Sequence, residues 1–230
     1  MSRQDRIVKW IVLIMCLAVT FTAFAGFVLL GAAGCGICAL ISGACSYGIC
    51  KLKKPVTFVH FTGVLILALS LSFTQPLKGI FPWQYGIQRL YADKIGGFHT
   101  DGFFPDKLEG YSGNFRSEFM PSIMQGDGWF AVSYDTDSIN SYKNNCEYLM
   151  NNNSNSFSFT GYEAHNGYAD ETMETMKKNG YGEYSPRYFV MLEEVSDSAE
   201  VYVFNSDCGF DYLHAEITVI DGNRVYFIKQ

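Results

Sequence analysis

The stretch Ile7–Cys50, IVKWIVLIMCLAVTFTAFAGFVLLGAAGCGICALISGACSYGIC, holds 44 residues and one charge, Lys9. At ~1.5 Å rise per residue a single helix of that length would be roughly twice a ~30 Å hydrocarbon core. The stretch must therefore fold back, and the bend is expected at Gly31-Ala32-Ala33-Gly34. That leaves spans of about residues 7–30 and 34–50. Pro55–Thr74 reads as a third span, with Pro55 suited to a first helical turn. Residues 1–74 are thus expected to form a transmembrane anchor.

Basic residues fix how this anchor should thread. Arg3, Arg6 and Lys9 precede the first span, and Lys51, Lys53 and Lys54 follow the second. Both clusters belong in the cytoplasm under the positive-inside rule. Three crossings satisfy that condition and send the remainder of the chain to the extracytoplasmic side, whereas two would put one basic cluster on the wrong side.

Small residues recur every four positions in the second span, Gly31, Cys35, Ala39 and Gly43 on one line and Ala32, Gly36, Ala44 and Gly48 near another. Such spacing lets helix backbones approach closely. A redox or metal reading of Cys35 and Cys38 is weaker, because no charged residue lies between Cys35 and Cys50 to lower a thiol pKa. A lipoprotein signal ending at Cys35 is disfavoured because the apolar region continues past that cysteine.

The chain-wide charge of −6 averages two unlike parts: residues before Gln75 carry +5 and those from Gln75 onward −11. So acidic a domain argues against a nucleic-acid partner, which needs clustered Lys and Arg, and against attraction to anionic headgroups. The expected partners are the bilayer and another membrane or cell-surface protein. Residues 75–97, with Phe81, Trp83, Tyr85 and Tyr91, have the composition of a juxtamembrane segment, and Gly86–Lys94 could lie as a short helix on the interface.

Residues 98–230 read as an extracytoplasmic α+β domain with a mainly antiparallel sheet and two inserted helices. Strands are expected over Asn114–Met120, Trp129–Tyr134, Ser156–Thr160, Arg187–Glu193, Glu200–Asn205, His214–Ile220 and Arg224–Lys229. Ser138–Met150, behind an Asp137/Ser138 cap, and Asp170–Lys178, with acids first and lysines last, have helical spacing. Asp221-Gly222-Asn223 is a hairpin turn signal.

Candidate chemistry is sparse. His99, His165 and His214 each have carboxylates nearby, Asp101, Glu163 and Asp170, and Asp211 and Glu216, and are the candidate metal ligands. No two have the spacing that sets ligands on one helical face. Cys208, Asp211 and His214 are candidate members of a hydrolase site, in which an imidazole activates the thiol. Cys146 is the domain's other cysteine. A Cys146–Cys208 disulfide would close a loop of about 60 residues and contribute roughly 4 kcal/mol, and two free thiols are the alternative. Asp135-Thr-Asp137-Ser-Ile-Asn140 opens like a calcium loop but lacks glycine at the sixth position and glutamate at the twelfth, so a turn with a cap is the simpler role. Trp129, Tyr162, Tyr168, Tyr181 and Tyr184 stand beside glycines and could line a groove, against a simpler core role. No cofactor motif is present.

Phe104-Pro-Asp-Lys-Leu108, and Met120-Pro-Ser-Ile-Met-Gln-Gly126 followed by the aromatic strand Trp129–Tyr134, resemble a set of uncharacterised membrane-anchored proteins of Gram-positive bacteria. The resemblance covers about residues 100–230, implies a bacterial cell-surface domain, and brings no known active site. The leading expectation is a membrane protein displaying an acidic domain for binding or assembly. The alternative is a membrane-tethered hydrolase using His214 with Cys208 or a metal.

Overall fold

The computed structural model describes residues 3–51, 77–94, 102–120, 128–153, 156–167, 169–178, 194–208 and 213–229. Its contacts divide the chain into two compact units, Met1–Lys78 and Gly79–Gln230.

The first unit contains α1 (Arg3–Leu30) and α2 (Ala33–Lys51). The bend falls where expected: Gly31 has φ +70, a left-handed conformation that a side chain would strain. The helices return antiparallel, with Thr20 Oγ1 2.8 Å from Ser42 Oγ and Lys9 Nζ donating to the Cys50 carbonyl at 3.0 Å. The packing face of α2 is Cys35, Cys38, Ala39, Ser42, Cys45, Ser46 and Ile49. It runs partly off the predicted small-residue lines, since Gly48 meets nothing, but close approach holds at Gly36, where a Cβ would come within 2.9 Å of the Phe27 ring. Cys35 packs beside Gly26, and Cys38 clusters with Ala23 and Ala39, so both serve as small apolar residues between helices. The third predicted span, Pro55–Thr74, lies outside the described residues, as does the predicted strand Arg187–Glu193.

The second unit is built on an antiparallel sheet. The strands are β1 (Leu77–Gly79), which falls at the boundary between the units, and β2 (Tyr111–Met120), β3 (Trp129–Thr136), β4 (Phe157–Thr160), β5 (Glu200–Cys208), β6 (Leu213–Asp221) and β7 (Arg224–Lys229), in spatial order β1-β2-β3-β7-β6-β5-β4. Every pairing from β2 across to β4 is antiparallel. Gly222, at φ +61 between Asp221 and its partner Arg224, makes the tight turn of the β6–β7 hairpin. β2 is irregular near its start, where the register shifts and Asn114 takes φ 48, a conformation asparagine tolerates better than most residues.

Helices cover both faces. The register puts Ala131, Ile228, Ile217, Val203 and Phe157 on one face. These side chains form one core with Ala164 and Met173, which come from α5 (Gly161–Asn166) and α6 (Asp170–Lys178). The other face carries Phe119, Phe130, Tyr134 and Phe227 beneath α3 (Gln84–Lys94) and α4 (Ile139–Asn152). Tyr91 of α3 meets Phe119 edge-on at 5.5 Å, and Tyr142 of α4 meets Phe227 at 5.4 Å. Burying one such phenylalanine contributes about 1.5–3 kcal/mol, so these contacts seat α3 and α4.

Two expectations change here. The helix assigned to the juxtamembrane segment is longer and belongs to the sheet unit, because Tyr85, Gln88 and Ala92 are buried in it. At the start of α4, Ser138 occupies the cap position but makes no side-chain capping bond, and Thr136 Oγ1 instead accepts from the Ser138 N–H at 3.0 Å.

Candidate functional site

Gly102–Gly110 is a loop with two adjacent phenylalanines, and their burial determines its course. Phe104 packs on Phe130 at 4.8 Å, and Phe103 meets Phe227 edge-on at 6.0 Å. The carbonyl of Pro105 then accepts from the Tyr85 hydroxyl and from Arg89 Nη1 at 3.1 Å, while the same Nη1 pairs with Asp106 Oδ1 at 2.8 Å. At the far end Thr136 Oγ1 donates to the Glu109 carbonyl, 2.8 Å, and the Asp137 N–H to that of Gly110, 2.9 Å. A loop held at both ends has little freedom to collapse onto α4.

Between this loop, α4 and β7 lies a cavity of about 410 Å³. Phe104, Tyr142 and Phe227 form its buried floor, Phe103 is half-buried, and Asp106, Lys107, Glu109 and Asn145 stand exposed at the rim. Beneath the floor the hydroxyls of Tyr142 and Tyr134 are 2.7 Å apart. Burial pushes both phenols up, most strongly Tyr134, so neither is an acid or base at neutral pH. An apolar floor with donors and acceptors around its mouth suits reversible binding of a small polar molecule with an apolar face.

A smaller cavity, about 280 Å³, lies where Lys143 and Ile139 of α4 face Glu200 and Ile220. Lys143 Nζ and Glu200 Oε1 are 2.5 Å apart, and Tyr202 donates to the other Glu200 oxygen at 2.6 Å. The bond from Lys143, then that from Tyr202, holds the Glu200 carboxyl below its usual range. Its charges are satisfied within the protein.

The fold brings Cys208 and His214 into neighbouring register positions and sets His165 apart from them. His99 and Asp211 lie outside the described residues. In the β5–β6 ladder Asp207 pairs with His214 and Cys208 with Leu213, so Cys208 and His214 occupy adjacent register positions at one end of β5. His165 lies near the other end, on α5, whose first N–H groups donate to the carbonyls of Ala199 and Asp197. Seven strand residues separate those ends, about 23 Å, too far for His165 and His214 to share a metal. His165 Nδ1 lies 2.9 Å from Asp197 Oδ1.

Glu163 has a structural role. It closes a capping box with Thr160 and accepts from Ala169 and Thr172. Burial works against its ionisation, but these hydrogen bonds outweigh it and hold the carboxyl below the usual range. Among the described residues no group of three or more histidine, cysteine or acidic side chains is placed to hold a metal ion.

Cys146 is buried on α4 with a free thiol. Burial pushes that thiol up to about 12, against the opposing hydrogen bond from Thr218. Thr218 pairs with Tyr202 in the ladder, six positions along β5 from Cys208. That is roughly 20 Å of strand, well beyond the ~7 Å limit between Cα atoms of a disulfide. Of the two readings left open, the disulfide and the free thiols, Cys146 follows the second.

Asp135 of the calcium-like run is already engaged by Arg224 Nη1 at 3.2 Å and Asn114 Nδ2 at 2.6 Å, which fits a structural turn. Of the predicted groove aromatics, Tyr168, Tyr181 and Tyr184 lie outside the described residues, and Trp129 and Tyr162 do not line the larger cavity. Its aromatic floor comes instead from Phe104, Tyr142 and Phe227. The signal available in the sequence was the Phe103-Phe104-Pro105 run between Gly102 and Gly110.

No protein-family model, curated protein or solved structure matches this chain.

Proposed function

We propose that this is a multi-pass membrane protein that displays an acidic α+β domain on the extracytoplasmic side for binding or assembly, with the Phe104–Tyr142–Phe227 cavity as its ligand site. The observation that carries the reading is the outward face of the α1–α2 hairpin. Both helices are long and apolar enough to cross a membrane, over Arg6–Leu30 and Ala33–Lys51. Their exposed side chains include Trp10, Phe21 and Leu40 at 64, 73 and 76% exposure. Water disfavours such a surface and lipid does not.

Basic residues support the orientation. The Lys9–Cys50 bond brings the amino-terminal end of α1 beside the end of α2, so Lys9 and Lys51 share one end of the hairpin, as the positive-inside rule requires. The side on which the domain stands then depends on whether Pro55–Thr74 crosses.

The test is cysteine labelling of the full chain with its seven native cysteines replaced. Lys53→Cys should react with an impermeant maleimide only from the cytoplasmic side, and Asn152→Cys only from the other. Both reacting from the same side would overturn the topology. Release of the chain by alkaline carbonate would overturn the anchor itself.

A further inference from the structure

Helix α3 keeps apolar side chains on its outward face. The face turned into the domain carries polar groups beside Tyr91 and Ala92: Gln84 Oε1 accepts from the N–H groups of Ile80 and Phe81 at 2.9 and 3.0 Å, and Gln88 bonds Ser117 of β2. Tyr85 and Arg89 reach the Pro105 carbonyl. The opposite face presents Trp83, Gly86, Ile87, Leu90 and Lys94, spaced by three or four residues on one stripe. Trp83 is 51% and Leu90 59% exposed, and Ile80 and Phe81, just before the helix, are 66% and 50% exposed. The rings of Phe81 and Trp83 are stacked, with centroids 6.2 Å apart. A surface helix normally keeps its outward face polar.

We infer that the Trp83–Ile87–Leu90 face of α3, with Ile80 and Phe81, lies in the headgroup–acyl boundary of the bilayer that the chain spans. The inference rests on the membrane reading above. Chain length favours this occupant: Pro55–Thr74 has no Asp, Glu, Lys or Arg, and ends nine residues before Trp83. Nine residues reach at most about 30 Å when fully extended, so a crossing by that segment keeps α3 close to a membrane surface.

Composition points the same way. Tryptophan, phenylalanine and leucine are the residues of an interfacial apolar face, and at its end Lys94 pairs with Asp93 at 3.6 Å while its own side chain is 72% exposed. No acidic residue stands on the stripe itself, and the one beside it, Asp93, is paired with Lys94. Five apolar side chains are too few for a stable protein–protein interface, which buries ~1,200 Å² or more. Because Tyr85 and Arg89 of the same helix hold Pro105, the helix on the lipid also braces the loop that walls the cavity.

Tryptophan quenching tests this in the full-length chain, reconstituted into phosphatidylcholine vesicles that carry bromines either near the headgroup or near the chain ends. The three tryptophans are Trp10, Trp83 and Trp129. One variant, Trp10→Phe with Trp129→Phe, leaves Trp83 alone, and a second, Trp83→Phe with Trp129→Phe, leaves Trp10. Trp83 should emit blue-shifted and be quenched more by the shallow than by the deep bromines, and adding Ile87→Ser and Leu90→Ser should reduce both effects.

Quenching of Trp10 without quenching of Trp83 would overturn the proposal and leave the anchor standing. Quenching of neither would overturn both, and stronger quenching of Trp83 by deep bromines would overturn the interfacial placement. Should Trp129→Phe disturb the fold, as circular dichroism would report, an environment-sensitive dye on Leu90→Cys in an otherwise cysteine-free chain gives the same comparison.

Discussion

The Tyr134 and Tyr142 hydroxyls meet at 2.7 Å in the buried layer between β3 and α4. Their rings cross nearly at right angles, 83°, with centroids 6.5 Å apart. Removing the Tyr142 hydroxyl takes from the fully buried Tyr134 hydroxyl the partner it has at 2.7 Å. Tyr142→Phe should therefore lower stability by about 1–3 kcal/mol, while Tyr134→Phe combined with Tyr142→Phe should cost less than the sum of the single changes. Urea denaturation of the four proteins closes the cycle, and strict additivity would show that the pair is not coupled.

Alkali should unfold this domain before it ionises these phenols. Tyr85, Tyr134, Tyr142 and Tyr202 all have raised folded-state values, chiefly through burial. Unfolded tyrosine releases its proton near pH 10, so above that pH the unfolded state holds fewer protons than the folded one. Stability is then full below about pH 10 and falls as pH climbs beyond it. Melting temperature should be flat from neutrality to about pH 9 and then drop, with tyrosinate absorbance rising together with loss of circular dichroism. Tyrosinate appearing in a domain that remains folded would count against the burial described here.

Cys146 should resist chemistry in the folded protein. With its thiol raised to about 12 and only 3% of its surface exposed, almost none is thiolate near neutrality. Iodoacetamide at pH 8 should leave Cys146 unmodified until denaturant is added, as peptide mass mapping would show. Rapid modification under native conditions would mean that α4 opens locally or is packed differently.

The Asp135 carboxylate lies between Arg224 and Asn114, and the Asp135 and Arg224 side chains are 15% and 23% exposed. Asp135→Ala leaves the guanidinium half-satisfied between strands, at a cost of about 2–4 kcal/mol, less than for a fully buried pair. Replacing Arg224 with Met in the same chain should restore part of the loss. A double variant as unstable as the simple sum would assign the cost to packing instead of charge.

In the hairpin, the Thr20–Ser42 contact joins helices that apolar packing alone would leave free to slide. Thr20→Val should weaken the α1–α2 association by about 0.6–1.7 kcal/mol, the range for interhelical hydrogen bonds in lipid. Crosslinking yield between cysteines introduced at Val19 and Ala39, which lie in neighbouring packing positions, provides the readout. An unchanged yield would show that the small-residue face alone sets the register.

Parts of this architecture are local and were legible in residue order. The bend at Gly31 follows because an apolar run too long for one span must reverse where the chain tolerates positive φ. Alternation marked β2 and β4, Gly222 marked the last hairpin, and Asp170 with Lys177 and Lys178 marked the two ends of α6. α5 escaped notice because six residues are too few to show a helical period. Its Thr160–Glu163 capping box was the available signal, and its first turn is held by the carbonyls of Asp197 and Ala199.

The rest required the tertiary structure. α3 has an interface-like composition, and nothing local reveals that Gln88 faces Ser117 of β2, 29 residues further on, while Leu90 faces outward. The cavity joins Phe103, Tyr142 and Phe227, which only the sheet order brings together. A Cys146–Cys208 disulfide and two free thiols were both open in the sequence, and only the structure shows the Cys146 thiol free and hydrogen-bonded with Thr218. Periodicity and charge, which act between near neighbours, determined that this chain has an apolar hairpin and a strand-rich acidic domain. Which side chains meet depends on strand order and register, and these are set by burial summed over the whole sheet.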